Sequence, residues 1–406
     1  MAAEFDIVIA GAGAAGLSLA YHLTRNSRRN WRIALVDRAP KQRNDRTWCF
    51  WEVGQGLFEA VVFRQWDRVA FYSPTLQRQL CIAPYRYKMI RGADFYAYVE
   101  AHLAAQPNVT RCYGEIVAVE EEGDAGVVHL RSGEVIRGKW VFNSVLFAPP
   151  CRAEDARYHC LLQHFLGWVV EADQPVFDPT VATLMDFRIP QAGETRFVYV
   201  LPFDAHTALV EFTVFSGSLL PREVYAQGLT DYLGEQLGLQ SYRVREEEYG
   251  VIPMTDAPLK QRLSQRVIQI GTAGGDTKAS TGYTFQRIQR RTHAIACALE
   301  AGRSPHLSRS LWQRRHGLFD SVLLNVLDKR RQPGWRVFTD LFANNPPVRV
   351  LRFLDEDTSL LEDLRVMASV HLPTFLPATL DVLARKGAGA LNFGENTSPA
   401  DRGRVT

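Results

Sequence analysis

The stretch "VIAGAGAAGLSLA", Val8 to Ala20, decides the fold. It continues an apolar run that begins at Phe5, and Phe5 to Ala10 reads as a buried strand. Gly11-x-Gly13-x-x-Gly16 follows, and from Ala14 to about Asn26 the pattern is helical. In a strand–turn–helix of this kind the first glycine permits the tight turn and the second lets the backbone approach a pyrophosphate. The third allows the helix to pack closely on the strand. The helix N-terminus then offers free N–H groups and a favourable dipole to phosphate. A lone GxGxxG is a weak signal, but here the neighbours are right. Arg32 to Asp37, "RIALVD", reads as a second strand, and Asp37 ends it 21 residues after Gly16. An acid there accepts the ribose hydroxyls of an adenosine and disfavours a 2′-phosphate. The chain opens with a βαβ dinucleotide-binding unit whose tightly held cofactor is not NADP.

A second signal lies far along the chain at "VIQIGTAGGDTKASTGYTFQRIQ", Val267 to Gln289. A strand, Arg266 to Gly271, runs into small residues, then Thr281-Gly282 and a helix from about Thr284 to Ala301. That aims another helix N-terminus into the site, where it stabilises negative charge. Between the two signals, short strands near Val109–Cys112, Ile116–Glu121, Val127–Arg131 and Trp140–Asn143 suggest a meander. Cys160 to about Ile252 is mostly strand, with one helix near Arg222–Leu237. Beyond Ser308 the pattern is helical.

Composition excludes several classes. With 47 basic and 44 acidic residues the net charge is +3, too small for a nucleic-acid protein. The six cysteines lie at 49, 81, 112, 151, 160 and 297 without CxxC spacing, so no zinc or other metal site is expected. Reduced thiols in a cytoplasmic protein are the simplest reading. The N-terminal apolar run has no basic flank or cleavage site and is read as a strand, not a signal peptide. No segment offers the ~18 uninterrupted apolar residues of a membrane span.

One strand poses a question. "ALVEFTVFS", Ala208 to Ser216, carries a glutamate at its centre. Alternation puts Val210, Phe212 and Val214 on one face and Leu209, Glu211, Thr213 and Phe215 on the other. On its own, Glu211 reads as a residue of a solvated sheet face.

Context changes that reading. "NDRTWCFWE" (Asn44–Glu52), "ALVEFTVFS" and "EYGVIPMTD" (Glu248–Asp256) leading to "GTAGGDTKASTGYTFQRI" (Gly271–Ile288) together resemble the bacterial lycopene β-cyclases. These are a branch of the p-hydroxybenzoate hydroxylase-like FAD flavoproteins. The resemblance spans residue 5 to about 300, with weaker similarity in "RVLRFLDEDTSLLEDLRVM". It implies acid-catalysed closure of the linear ends of lycopene, or a related acyclic carotenoid, into β-ionone rings. It also implies a reduced FAD without net turnover, with NAD(P)H as electron donor. Glu211-Phe212-Thr213 stands where the family carries Glu-Asp-Thr or Glu-Glu-Thr, so Glu211 is the implied proton donor. Its face would then line an apolar tunnel, where desolvation raises its pKa. Gly271-Thr272-Ala273 stands where related flavoproteins carry Gly-Asp-Ala, a departure at the ribityl site.

The expected cofactor residues are Gly11, Gly13, Gly16, Asp37, Arg46, Gly271, Thr272 and Gly282. Arg46 with Asp45 has a surface ion pair as its alternative role. Trp48, Phe50, Trp51, Tyr249, Tyr283 and Phe285 are candidates for stabilising a carbocation by cation–π attraction, with ordinary packing as the alternative. Glu248 reads as a solvated strand end and a minor candidate for proton relay.

The expected architecture is α/β. A discontinuous Rossmann-like FAD-binding domain (1–150 and 250–305) carries a β-rich substrate domain (151–249). A helical cap (306–384) and a disordered tail (385–406) follow. "LWQRRHGLFDSVLLNVLDKRR" (Leu311–Arg331) and "VRVLRFL" (Val348–Leu354) mix apolar and basic residues as an interfacial surface does, so peripheral contact with the inner face of the cell membrane is expected. Two alternatives differ in chemistry: a redox enzyme of the same fold acting on an isoprenoid lipid, and a non-catalytic isoprenoid carrier. The intact glycine motifs argue against the carrier. Oligomeric state has no signature in the sequence.

Overall fold

The computed structural model describes residues 4–25, 28–150, 155–307 and 311–392. The N-terminal unit forms as the glycine motif requires. Strand Phe5–Ala10 pairs in parallel with Ile33–Asp37 on one side and Val135–Asn143 on the other. Val109–Tyr113 extends the parallel edge, and Ile116–Glu122 and Ala125–Leu130 complete an antiparallel meander. The chain returns after more than a hundred residues: Val267–Gln269 adds in parallel beside Val141–Asn143. This long-range pairing makes the domain discontinuous. Strand alternation divides its two cores. Ile7 and Ile9 pack under the helices Ala14–Arg25, Gly92–Ala104 and Phe285–Glu300, while Val8 and Ala10 face the meander.

A second seven-stranded sheet has the order Tyr242–Thr255, Cys160–Ala172, Thr207–Ser216, Thr195–Pro202, Val181–Asp186, Arg68–Tyr72, Gln77–Cys81. Its last two strands come from the part of the chain expected in the FAD domain. Arg68–Tyr72 pairs in parallel with Val181–Asp186, a crossover that local sequence pattern does not reveal. On one face of this sheet Val210, Phe212 and Val214 pack on helix Arg222–Glu235 through Tyr225, Leu229 and Leu233. Burying a side chain such as Phe212 there contributes about 1.5–3 kcal/mol. The other face turns toward the glycine loops. A small sheet of Thr47–Val53, Tyr85–Arg91 and Arg64–Trp66 closes the space between.

The C-terminal helices depart from expectation in two respects. Leu311–Asp328 carries fully buried Leu324 and Val326, and Pro347–Leu354 buries Val350, Leu351 and Leu354. The apolar residues assigned to an interfacial surface are therefore core. The exposed leucines lie further on, in Leu360–Met367 and Leu372–Asn392. That last helix also runs into the stretch expected to be a disordered tail, where alanine and leucine favour helix; 393–406 lie outside the described residues. Cys49, Cys81, Cys112 and Cys297 are free thiols, but Cys160 is disulfide-bonded, which the unpaired spacing gave no reason to expect.

Candidate active site

The first glycine loop has the shape its sequence demands. Gly11 adopts φ +97°, and a Cβ on Gly16 would lie 1.9 Å from the Gly11 carbonyl oxygen. Above Gly13 a Cβ would meet nothing within 4 Å, leaving the backbone open to a ligand. Asp37 is drawn to this loop: Ala12 N donates to its Oδ2 at 2.7 Å and Arg38 N to its Oδ1 at 2.6 Å. An ionised carboxylate has about four acceptor positions, so capacity for ribose hydroxyls remains.

The second loop closes the opposite side. Gly271 (φ +63°) begins a single 3₁₀ turn, and Gly282 (φ +73°) sits so close to Gln163 that a Cβ would approach its Oε1 to 2.4 Å. The helix Phe285–Glu300 begins without a side-chain cap, because Thr284 Oγ1 donates to Thr277 instead. Its uncapped first turn therefore favours negative charge beside it. Thr281 Oγ1 and Gln163 Oε1 are buried there without a protein partner. Open backbone at Gly13, an acid at Asp37, and unpartnered polar atoms near a helix N-terminus fit a dinucleotide flavin. The loop's own acid, Asp276, is not among its candidate contacts. It is buried, accepting from Gly271 N at 2.6 Å and from Arg291 at 2.9 Å, so it braces the turn.

Between the loops and the second sheet lies a cavity of about 410 Å³. Arg46, Thr272 and Gly282 line its polar side, and Tyr199, Leu209 and Glu211 line its inner wall. Arg46 makes no ion pair with Asp45; it donates to the Asp45 backbone carbonyl, while the Asp45 carboxylate accepts from Tyr96. Of the aromatic candidates, Trp48, Tyr283 and Phe285 line the cavity. Phe50 stacks on Phe285 at 4.9 Å and Trp51 sets its edge against Tyr283 at 4.7 Å, so both stand behind it. Tyr249 does not belong to the site. It packs against Tyr225 and Arg222 on the far face, because alternation sends it opposite Glu248.

The central feature is one rung of the sheet. Tyr199, Glu211, Gly167 and Glu248 stand opposite one another across four adjacent strands. Side chains opposite one another in a sheet share a face, so the two glutamates flank a glycine that has no side chain to separate them. Strand spacing puts their Cα atoms about 10 Å apart. A Cβ on Gly167 would lie 3.5 Å from Glu211 Cβ and 3.6 Å from its Cγ, so Glu211 leans over the vacant position. Glu248 was expected at a solvated strand end. Instead it lies within the long strand Tyr242–Thr255, buried, with its Oε1 accepting from Thr47 N at 3.0 Å.

Environment separates the two acids. Burial pushes the Glu211 carboxyl up to about 8, the charge of Glu248 adds to the rise, and a 2.8 Å hydrogen bond from Thr213 opposes it only in part. Glu211 is partly accessible, but the space it meets is the cavity. Burial also raises Glu248, but the Thr47 bonds and the Arg46 charge pull in the other direction. Near neutral pH, Glu211 holds a proton, and Glu248 is the better placed to carry charge. The hydroxyls of Tyr87 and Tyr199 are held protonated well above their ordinary range by burial. Sequence reading missed Tyr87 and Tyr199. Alternation in "RFVYVLPF" would have put Tyr199 on a face with Phe197 and Leu201, but only strand pairing sets it opposite Glu211.

The sequence matches the family described as "Lycopene cyclase protein" over residues 6–381. The chain belongs to the lycopene cyclase family. Among its relatives is a lycopene beta-cyclase of Pantoea ananas, 25% identical, covering 91% of this chain and 95% of that protein. Another, from Pseudescherichia vulneris, is 29% identical over 89% of this chain and 93% of its own length. A chloroplastic neoxanthin synthase of Solanum tuberosum is 28% identical over 89% of this chain and 76% of that protein. In fold, this lycopene cyclase family member is similar to a geranylgeranyl bacteriochlorophyll reductase-like protein of Thermoplasma acidophilum (TM-score 0.55, 13% identity, 97% and 98% of the two chains). It is also similar to a p-nitrophenol 4-monooxygenase of Pseudomonas putida (TM-score 0.56, 15% identity, 94% and 98%). The α/β architecture expected from the glycine motif is thus a fold that this chain shares with these two proteins.

Proposed function

We propose that this chain is a lycopene β-cyclase that closes the linear ends of an acyclic carotenoid by acid catalysis, without net redox change. The observation that carries the reading is the rung at Gly167, where two glutamates, Glu211 with its pKa raised by burial, face one cavity. Protonating an alkene carbon requires a positioned acid that still holds its proton near neutral pH. Glu211 gives its proton to the terminal alkene and forms a C–H bond, leaving a tertiary cation. The internal alkene attacks it, forming the ring C–C bond and moving the cation to the next tertiary carbon. Loss of a ring proton to Glu248 forms the ring double bond, and proton return across the Gly167 gap resets Glu211. Atoms and electrons balance because reactant and product are isomers.

Water would trap the cation as an alcohol, so the apolar inner wall and buried tyrosines exclude it. The ring faces of Trp48, Tyr283 and Phe285 stabilise it by cation–π attraction. When bound, reduced FAD supplies negative charge in a dry site, an effect worth several kcal/mol. Gly11, Gly13, Gly16 and Asp37 would hold its adenosine half, and Gly271, Thr272, Gly282 and Arg46 its other half. NAD(P)H is the proposed electron donor.

Peripheral attachment to the inner face of the cell membrane completes the reading. No single described helix is long and apolar enough to cross a membrane, and Leu360–Met367 with Leu372–Lys386 passes that test only as a pair bent by 119°. Leu372, Leu376, Leu380 and Leu383 form one exposed stripe, each more than half accessible. A solvent-facing stripe of that kind suits insertion into the acyl boundary.

To test the chemistry, the flavin is reduced with dithionite in the absence of oxygen and nicotinamide, and lycopene is supplied in vesicles. Many turnovers per flavin are expected while its spectrum stays reduced. Reoxidation stoichiometric with product would refute the non-redox mechanism and favour a reductase or monooxygenase.

A further inference from the structure

A second cavity of about 410 Å³ lies within the C-terminal helices. Phe319, Leu341, Phe353 and Phe375 line it, with Lys278, Ser280, His316, Asp320 and Thr379 as its polar lining. Lys278 pairs with Asp320 at 2.8 Å and Glu356 at 3.3 Å, and Glu356 pairs with Arg287 at 2.6 Å, so the charges are compensated. Burial keeps the neighbouring His316 neutral by lowering its pKa.

Two features tie this chamber to the reaction. The first is adjacency. A small pocket of about 20 Å³, the neck of the proposed path, shares Lys278 and Leu354 with the chamber, and shares Cys49, Tyr283, Thr284 and Phe285 with the reaction cavity. Trp51 also borders the neck. Its Nε1 donates to Leu351 O at 3.2 Å, on the helix Pro347–Leu354 that forms part of the chamber wall, and its ring meets Tyr283 edge-on. The second feature is a thin outer wall. Leu364, Leu372 and Leu376 line the chamber and are also 54%, 57% and 62% exposed. A residue that does both forms a wall one side chain thick. Leu372 and Leu376 also belong to the stripe proposed to meet the bilayer.

Size requires such an annex. Sites for drug-sized ligands span roughly 300–1,000 Å³, and a rigid C40 hydrocarbon is longer than such ligands. The reaction cavity, at about 410 Å³, holds an end of it and not the whole. The remainder needs an apolar space in line with the first, since an apolar cavity stays dry and takes apolar guests.

Resting on the cyclase reading, we propose that this chamber holds the distal part of the linear C40 hydrocarbon. The chain loads from the bilayer through the leucine wall, and the Trp51–Tyr283 pair is the gate that passes one end to Glu211. Widening of that gate is part of the proposal.

The test separates the chamber from the chemistry. Thr379 and Val370 line the chamber and stand apart from the proposed catalytic residues. Thr379→Phe and Val370→Phe each fill it. Diphenylhexatriene, a neutral linear polyene that fluoresces in apolar surroundings, is titrated into full-length protein without detergent. Wild type and Glu211→Gln are expected to bind it equally, and each filling variant at least tenfold more weakly. With lycopene vesicles, the filling variants should raise KM by a similar factor and leave kcat nearly unchanged. Retained flavin and an unchanged unfolding midpoint show that they fold. Unaltered probe binding in both folded variants would overturn the chamber. Weakened probe binding with no ring formation by wild type would support the chamber as an apolar-chain site while sinking the cyclase reading.

Discussion

Replacing Glu211 by Gln tests the central claim through stability as well as activity. The carboxyl has an ordinary value near 4.5 and is pushed up to about 8 in the folded chain by burial, with Glu248 adding to the effect. Between those values the folded protein binds a proton that the unfolded chain does not, so stability falls as pH rises. Stability is therefore fully present below about pH 4.5, is lost progressively up to about pH 8, and is constant beyond. At about 1.36 kcal/mol per pH unit, and with the carboxyl half titrated near pH 8, the loss between pH 6 and pH 8 is roughly 2 kcal/mol. Glutamine keeps the size and the bond to Thr213 but does not titrate. Its advantage over wild type should grow by about 2–3 kcal/mol from pH 6 to pH 8 and then level off. Denaturant unfolding of both proteins across pH 5–9 measures it. Cyclisation by wild type should fall roughly tenfold per unit above pH 8, and in the variant by ~10² or more at every pH. A stability difference that stays flat with pH would refute the buried, proton-bearing carboxyl. Near-normal activity of Glu211→Gln would refute its role.

Three further outcomes follow from the geometry. Gly16→Ala drives a Cβ to within 1.9 Å of the Gly11 carbonyl, so the purified variant should lose bound flavin, read from its visible absorbance. Glu248→Gln leaves the donor in place but removes the proposed base. Wild type in D₂O should place one solvent deuterium in each ring, whereas Glu248→Gln should still take up label but form rings slowly, with the double bond in altered positions by mass and NMR analysis. The paired change Leu376→Asp with Leu380→Asp should abolish flotation with anionic vesicles and leave flavin content unchanged, and continued flotation would remove these helices from the membrane face.

The parts of this structure that local chemistry fixes were legible in the sequence. Gly11, Gly16 and Asp37 are constrained by neighbours within one βαβ unit, and alternation correctly separated Glu211 from Phe212. What depended on long-range pairing was not legible. Glu248 looks like one acid in the run Glu246-Glu247-Glu248, and only its register opposite Gly167 shows that it is the member turned into the cavity. Tyr249 failed for the same reason in reverse: its neighbour faces the site, so it cannot. The exposed leucines were assigned to the wrong helices because Leu311–Asp328 and Leu360–Met367 both mix leucine with charge. Which one is core depends on what packs against it.

On the proposed reading, the rung at Gly167 accounts for a reaction without net electron transfer on this fold. The glycine loops and helix N-termini position a cofactor and favour negative charge, and they are indifferent to whether electrons leave it. On that reading the reaction type is set on the facing sheet. An ordinary apolar pair there would leave a hydrocarbon inert, and two carboxylates side by side would repel until one kept its proton. Gly167 holds the acids one strand apart, so each influences the other while both reach the same cavity. Gly167→Ala puts a methyl 3.1 Å from Leu209 Cδ1 and 3.5 Å from Glu211 Cβ, contacts a sheet can absorb. That small substitution makes the glycine the position where acid–base coupling can be perturbed without replacing either acid or altering the flavin loops or the chamber.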